Sequence, residues 1–153
     1  MATRTRTAPL ATAVVCAAAL LLGACGSSYK GLSKADYVST ADATCKSYEN
    51  RLETLFRHVG SNPTLIEVKG VYGSQIVPVF RKEVVALRAI KAPKDDRDAV
   101  KKIYDDLSTG VDQLGAAVTA SKSLDALQKI SPSGLKRAQA GAQAYGLKVC
   151  GQS

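Results

Sequence analysis

The chain has 153 residues, 21 of them basic and 13 acidic, for a formal charge of +8; 46% are hydrophobic and only 5% aromatic. That length fits one domain once a targeting segment is subtracted. The charge is scattered rather than clustered, which argues against nucleic acid as a partner, and a mild excess of this kind chiefly keeps a domain soluble.

The first 24 residues differ from the rest. Arg4 and Arg6 form a basic start, and Leu10 to Leu22 is almost wholly apolar. This run is shorter than the ~20 residues that span a bilayer as a stable helix. A basic start, a short apolar stretch and small residues at its end mark a secretory signal. Thr5 separates the two arginines, so the general secretory route is expected rather than the paired-arginine one. At the end of the segment, Leu22-Gly23-Ala24-Cys25 resembles the bacterial lipobox: an aliphatic residue, two small residues and a cysteine. The resemblance implies that the Cys25 thiol receives a diacylglyceryl group and that the bond after Ala24 is cut. Gly23 and Ala24 let a peptidase reach the backbone, and a thiolate suits alkyl transfer. An ordinary signal peptide cut after Ala24 would instead leave Cys25 a free thiol. Two acyl chains anchor stably where one is marginal. The expected organisation is a signal peptide over 1–24, a lipidated tether over 25–32 and a helical domain over 33–153. It places the protein on the extracytoplasmic face of the cell membrane.

Two of the 21 basic residues fall in the leader, leaving 19 against 13 acidic ones, a net +6. Beside a membrane that surface favours anionic head groups, at about 1 kcal/mol per nearby Lys or Arg, or anionic wall polymers. The four cysteines reduce to two, because Cys16 leaves with the leader and Cys25 carries lipid. Cys45 and Cys150 then form an even pair in an oxidising compartment, and one disulfide follows. The chain-entropy model assigns such a loop of about 105 residues ~4.7 kcal/mol. A redox or metal pair is the alternative, but there is no Cys-x-x-Cys, and His58 is the one histidine.

After a short polar tether, Ser33 reads as an N-cap with Asp36 three residues on. Tyr37, Ala41, Cys45, Tyr48, Leu52, Leu55, Phe56 and Val59 then recur at helical steps, one apolar stripe on a helix of about seven turns. Gly60-Ser61-Asn62-Pro63 stops it and starts a second helix with Pro63 near its first turn. That helix carries a stripe from Leu65 to Ile90, with a kink or break expected between Gly73 and Pro78. Ile76 to Phe80 could form a strand, yet no partner strand is evident. Acidic Asp95, Asp96 and Asp98 suit the first turn of a third helix, whose stripe runs Val100, Ile103, Tyr104, Leu107, Val111, Leu114, Val118. A helical turn over Leu124 to Ile130 is followed by Ser131-Pro132 as cap and first residue of the last helix, with Gly146 as its C-cap. Small residues on the third and fourth helices suggest close backbone approach. Four helices with short connections predict an all-α, antiparallel four-helix bundle, whose first and last helices would be neighbours where Cys45 and Cys150 sit.

No catalytic constellation emerges. His58 reads as a solvated helix-terminal histidine. Asp95-Asp96 and Asp105-Asp106 are adjacent pairs, which point about 100° apart on a helix and do not converge. No phosphate loop, Ca loop or di-iron pattern is present, and neither cofactor nor metal is expected. The interior is rich in Val, Ala and Gly. Tight packing of small residues is one outcome. The other is an apolar cavity lined by Val71, Ile76, Phe80 and Val111, suited to a lipid or other hydrophobic ligand.

Three segments carry a further resemblance: Tyr37 to Leu52 (YVSTADATCKSYENRL), Val84 to Pro93 (VVALRAIKAP) and Ala144 to Gly151 (AYGLKVCG). They are similar to small helical lipoproteins and secreted proteins of actinobacteria with a cysteine in the first helix and a terminal Gly-Leu and Cys-Gly. The resemblance implies an envelope-anchored helical protein, and its motifs are structural rather than catalytic. The expectation is a non-enzymatic envelope lipoprotein that binds an envelope protein or an anionic envelope component; the alternative is a carrier of an apolar ligand.

Overall fold

A computed structural model describes residues 30–152. The expected leader, Cys25 and the first part of the tether lie outside the described residues. Those described are helical, with no strand among them: α1 (Lys34–Arg57), α2 (Leu65–Val71), a π-helical turn (Tyr72–Ile76), α3 (Val77–Ala89), a 3-10 turn (Lys94–Asp96), α4 (Arg97–Ala120), α5 (Leu124–Gln128) and α6 (Ser133–Tyr145). No described helix is long and apolar enough to cross a membrane.

The α1 stripe forms as the spacing predicts: Tyr37, Ala41, Cys45 and Leu52 are buried, and the Ser33 side chain accepts from the Asp36 N–H. The second run starts one step later than expected. Thr64 is its cap, in a reciprocal box with Glu67, so Pro63 stands just before the first turn. The expected break near Pro78 takes the form of a change in helix type. At the π turn the Val77 N–H reaches back to the Tyr72 carbonyl, and Pro78, without an N–H, falls in the first turn of α3 where the ladder changes. The chain stays helical throughout, and Ile76 and Val77 are both buried across the junction.

The α4 stripe buries Val100, Ile103, Tyr104, Val111, Leu114 and Val118. Its C-terminal carbonyls receive Lys69, whose Nζ lies 2.7 Å from Thr119 O and 3.1 Å from Ser121 O. The start of α6 is not capped by Ser131 as expected. Pro132 takes the cap position with no side-chain bond, and Gln113 of α4 accepts from the Gly134 N–H at 3.0 Å. At its other end Gly146 adopts φ +105°, and Leu147 N–H returns to Ala142 O at 2.9 Å. This is a Schellman close, which tucks Leu147 into the core.

Two apolar clusters fill the interior. One gathers Tyr37, Ala41, Cys45, Leu87, Ile103, Tyr104 and Tyr145, the other Val77, Val84, Val111, Leu114 and Val118, and Leu107 packs against both. In the first, the Tyr37 and Tyr104 hydroxyls are hydrogen-bonded, and Tyr145 donates to Asp96 at 2.8 Å. The tyrosines there are core residues with satisfied polar ends, as their place on the stripes predicts. α4 packs most extensively on α6, and α1 lies against α3. Cys45 and Cys150 are joined, their Cα atoms 5.3 Å apart. The Asp42 carboxylate fixes that terminal turn by accepting from the N–H groups of Lys148 (2.9 Å), Val149 (2.9 Å) and Cys150 (3.2 Å).

Candidate functional site

Along α1 the side chains of Cys45, Glu49, Leu52, Glu53 and Phe56 follow one another at three- and four-residue steps, so they share one face. Phe80 and Glu83, three apart on α3, face them, and Arg57 completes the wall of a groove of about 580 Å³. The walls are apolar where Leu52, Phe56 and Phe80 stand. Phe56 is 45% exposed, too much for a core residue of its size, and its ring meets Tyr72 edge-on with centroids 6.0 Å apart. Behind the groove a smaller cleft of about 80 Å³ runs inward between Leu87, Tyr104, Ala138 and the Cys45–Cys150 bond.

Glu83 lines both spaces. It is 7% exposed, the one charged residue type among the buried described residues. It has no hydrogen-bond or ion-pair partner among them. Its oxygens keep a sliver of contact with the groove, since no sealed side-chain oxygen among the described residues lacks a partner; a carboxyl so largely withdrawn from water and unpaired answers by keeping its proton. Burial accordingly pushes the Glu83 carboxyl from its ordinary value near 4.5 up to about 7. The charges around it do not offset this. Arg57 turns its guanidinium to Thr54 Oγ1 at 3.3 Å, and Glu49 pairs with Lys46 at 2.7 Å at the exposed rim. Three carboxyls thus line a groove with one cation, in a domain that is basic as a whole. Chemically, such a wall accepts hydrogen bonds or holds a positive group beside an apolar body.

The residues proposed from sequence for an apolar cavity are spread. Ile76 and Val111 are fully buried, Phe80 packs against the cluster that holds Val111, and Val71 is half-buried at the end of α2. Of these four, Phe80 lines the groove. Sequence reasoning missed Glu83, although a signal was there. Ile76, Glu83, Val84 and Leu87 are buried and, with the half-buried Phe80, continue one helical stripe, and a lone acid on such a stripe is an anomaly.

The other polar groups behave as adjacent spacing predicts. Asp105 turns to Arg88 of α3 at 2.8 Å, while Asp106 turns to Arg137 of α6 at 2.7 Å. Lys101 on Asp105, and Lys102 with Arg137 on Asp106, hold both carboxyls below their usual range. His58 is exposed at the end of α1, its Nδ1 2.6 Å from Thr54 O. No group of three or more His, Cys, Asp or Glu among the described residues is placed to hold a metal ion. No protein-family model matches the chain, and no curated protein or solved structure matches it either.

Proposed function

We propose that the protein is a lipid-anchored envelope protein whose helical domain is a non-enzymatic binding module working through the groove between α1 and α3. The observation that carries this reading is an open, apolar-walled concavity floored by a buried carboxyl without a partner. A groove of about 580 Å³ lies within the ~300–1,000 Å³ typical of ligand sites. The inner cleft, about 80 Å³, falls below that range, so binding at the surface is favoured over carriage of a lipid between the helices. The non-enzymatic reading is supported by the lining itself. Beside Glu83 it holds no serine, threonine, histidine or lysine, and Cys45 is tied up in the disulfide.

The lipobox-like Leu22-Gly23-Ala24-Cys25 supports the anchor. Leu32 N–H bonds Lys91 O at 3.1 Å, so the chain leaves the domain beside the loop between α3 and α4. Leu52 stands roughly 27 Å along α1 from Lys34 at 1.5 Å per residue, so an anchored domain would carry its groove away from the bilayer. The pairing of Gly134 with Gly110 and of Tyr145 with Asp96 supports the antiparallel course expected of the bundle. The bond from α1 to the C-terminal turn supports kinship with the actinobacterial helical lipoproteins.

The test places a photo-crosslinking residue at Phe56 and, as a control, at Ile66, which is 82% exposed on α2, in the full chain in its own envelope. A defined adduct at position 56 and none at 66 supports the groove. Equal labelling at both positions removes it. Loss of fatty-acid labelling in Cys25→Ser tests the anchor separately, and retained labelling would rule Cys25 out.

A further inference from the structure

Resting on the reading of the groove as a binding site, we propose that its occupant is an amphiphilic organic cation. Its apolar body would lie against Leu52, Phe56 and Phe80, and its ammonium group would meet the Glu83 carboxylate. Three observations converge. The walls are apolar, so an ion without an apolar body would gain nothing from them. The acidic side chains Glu49, Glu53 and Glu83 outnumber the single lining cation Arg57, which is already engaged with Thr54. This balance opposes the basic surface of the rest of the domain and disfavours an anionic occupant. Finally, Glu83 is buried with no partner, although Arg57 stands on the same wall and the domain is rich in lysine. A carboxyl kept in that state is completed by an incoming cation, which removes the cost of its burial at the moment of binding.

Proton linkage follows. The groups facing Glu83 are Glu49, Glu53 and Arg57 from α1 and Tyr104 from α4 across the cleft, while α6 contributes the non-titrating Gln139. Burial holds Glu83 protonated up to about pH 7, so an ammonium ligand must expel that proton. The two rim glutamates are exposed to solvent, whereas Glu83 is buried. Affinity for a cation therefore rises across neutral pH through Glu83, while affinity for a neutral analogue does not.

The experiment uses three probes with one apolar body: tryptamine (cationic), tryptophol (neutral) and indole-3-propionate (anionic). The chain contains no tryptophan, so indole fluorescence reports the probe alone. With the full chain, tryptamine should bind at least about tenfold more tightly than tryptophol at pH 8, and indole-3-propionate most weakly. Tryptamine affinity should rise about tenfold or more from pH 5.5 to pH 8, the span over which a group with its midpoint near 7 ionises. Glu83→Gln should abolish both the preference and the pH dependence, while Glu53→Gln should retain both. If tryptophol binds as tightly as tryptamine and Glu83→Gln is without effect, the cation is overturned and the groove stands. If no probe binds, the small-cation occupant is overturned. The Phe56 crosslink then decides the groove independently: an adduct there points to a macromolecular partner, and its absence overturns the groove as well. The charge series on the unaltered chain keeps the proposal falsifiable if the Glu83 variant does not fold.

Discussion

Along α4 and α6, Gly110 and Gly134 let two backbones approach until nothing fits between them. A Cβ added at Gly134 would lie 2.6 Å from the Gly110 Cα and 2.7 Å from the Asp106 carbonyl oxygen. Along α1 and α3 the facing positions carry Leu52, Phe56, Phe80 and Glu83, and a groove of about 580 Å³ remains. Both pairs of helices come from similar amphipathic stripes. What separates them is side-chain size at the crossing: two glycines close one interface, and bulky side chains hold the other open. A helix pair held apart has less packing to stabilise it, and on the open side the compensation is covalent. The Cys45–Cys150 bond and the Asp42 carboxylate fasten α1 to the C-terminal turn.

If that division is right, the largest effect comes from the bond. Its 105-residue separation puts the entropic contribution at ~4.7 kcal/mol. Replacing Cys45 and Cys150 together by serine should lower stability by about that amount in denaturant unfolding. Native-state hydrogen exchange should show α1 losing protection before α4 and α6. Simultaneous loss across all the helices would mean that the two sides form one cooperative unit. Next is Gly134→Ala, which sets a methyl group against backbone that has nowhere to move. The expected cost is about 3 kcal/mol, read as a lower urea midpoint. Gly115→Ala, on the facing helix α4, is the matched control: its new Cβ would meet Val77 at an ordinary 3.6 Å, and little should change.

How much of this was legible beforehand follows from what each feature depends on. The α1 and α4 stripes, the Ser33 cap and the left-handed Gly146 are local properties, set by residues within a turn or two, and they form where spacing puts them. The Cys45–Cys150 bond also forms as expected, although it is legible from the cysteine inventory rather than from local spacing. The features that escaped are non-local. Gln113 caps a helix 21 residues away, and Asp42 closes a turn more than a hundred residues further on; no window of sequence contains both partners. The π turn follows from fitting the stripe before Pro78 to the stripe after it, a tertiary requirement. Glu83 lies between these cases. Its place on the α3 stripe was visible, but the openness of the groove beside it depends on how α1 crosses α3.

Glu83 sharpens the comparison because its expected effect has the opposite sign. In the folded chain burial keeps its carboxyl protonated up to about pH 7, against about 4.5 for a free side chain. Between those values the folded state holds a proton that the unfolded state has lost. Stability from this group is therefore full below about pH 4.5, falls as pH rises to about 7, and levels off above. The span corresponds to about 3 kcal/mol. Glu83→Gln should flatten that dependence and raise stability at pH 8 by about 2–3 kcal/mol, with little change at pH 4.5. Thermal unfolding at the two pH values measures it. A variant less stable at pH 8 would show that the carboxylate already has a partner in the folded chain. A variant that gains stability while losing tryptamine binding would mark Glu83 as a residue kept for its ligand at the expense of the fold.

The smallest effect lies in α2, which leads into the π turn ahead of α3. Gly70 sits inside α2, and a Cβ built there meets nothing within 4 Å. It adopts no positive φ, so neither close approach nor conformation requires glycine. A glycine in a helix interior costs about 1 kcal/mol relative to alanine, mostly through the freedom it retains when unfolded. Gly70→Ala should thus stabilise the domain by about that amount, seen as a higher denaturant midpoint with an unchanged slope. The same change at Gly134 goes the other way, and the two substitutions form the narrowest test of the contrast between a closed interface and an open one. If Gly70→Ala also destabilises, α2 is packed more tightly in solution than its exposed surroundings imply. The open side would then begin only beyond the π turn, at Phe80 and Glu83.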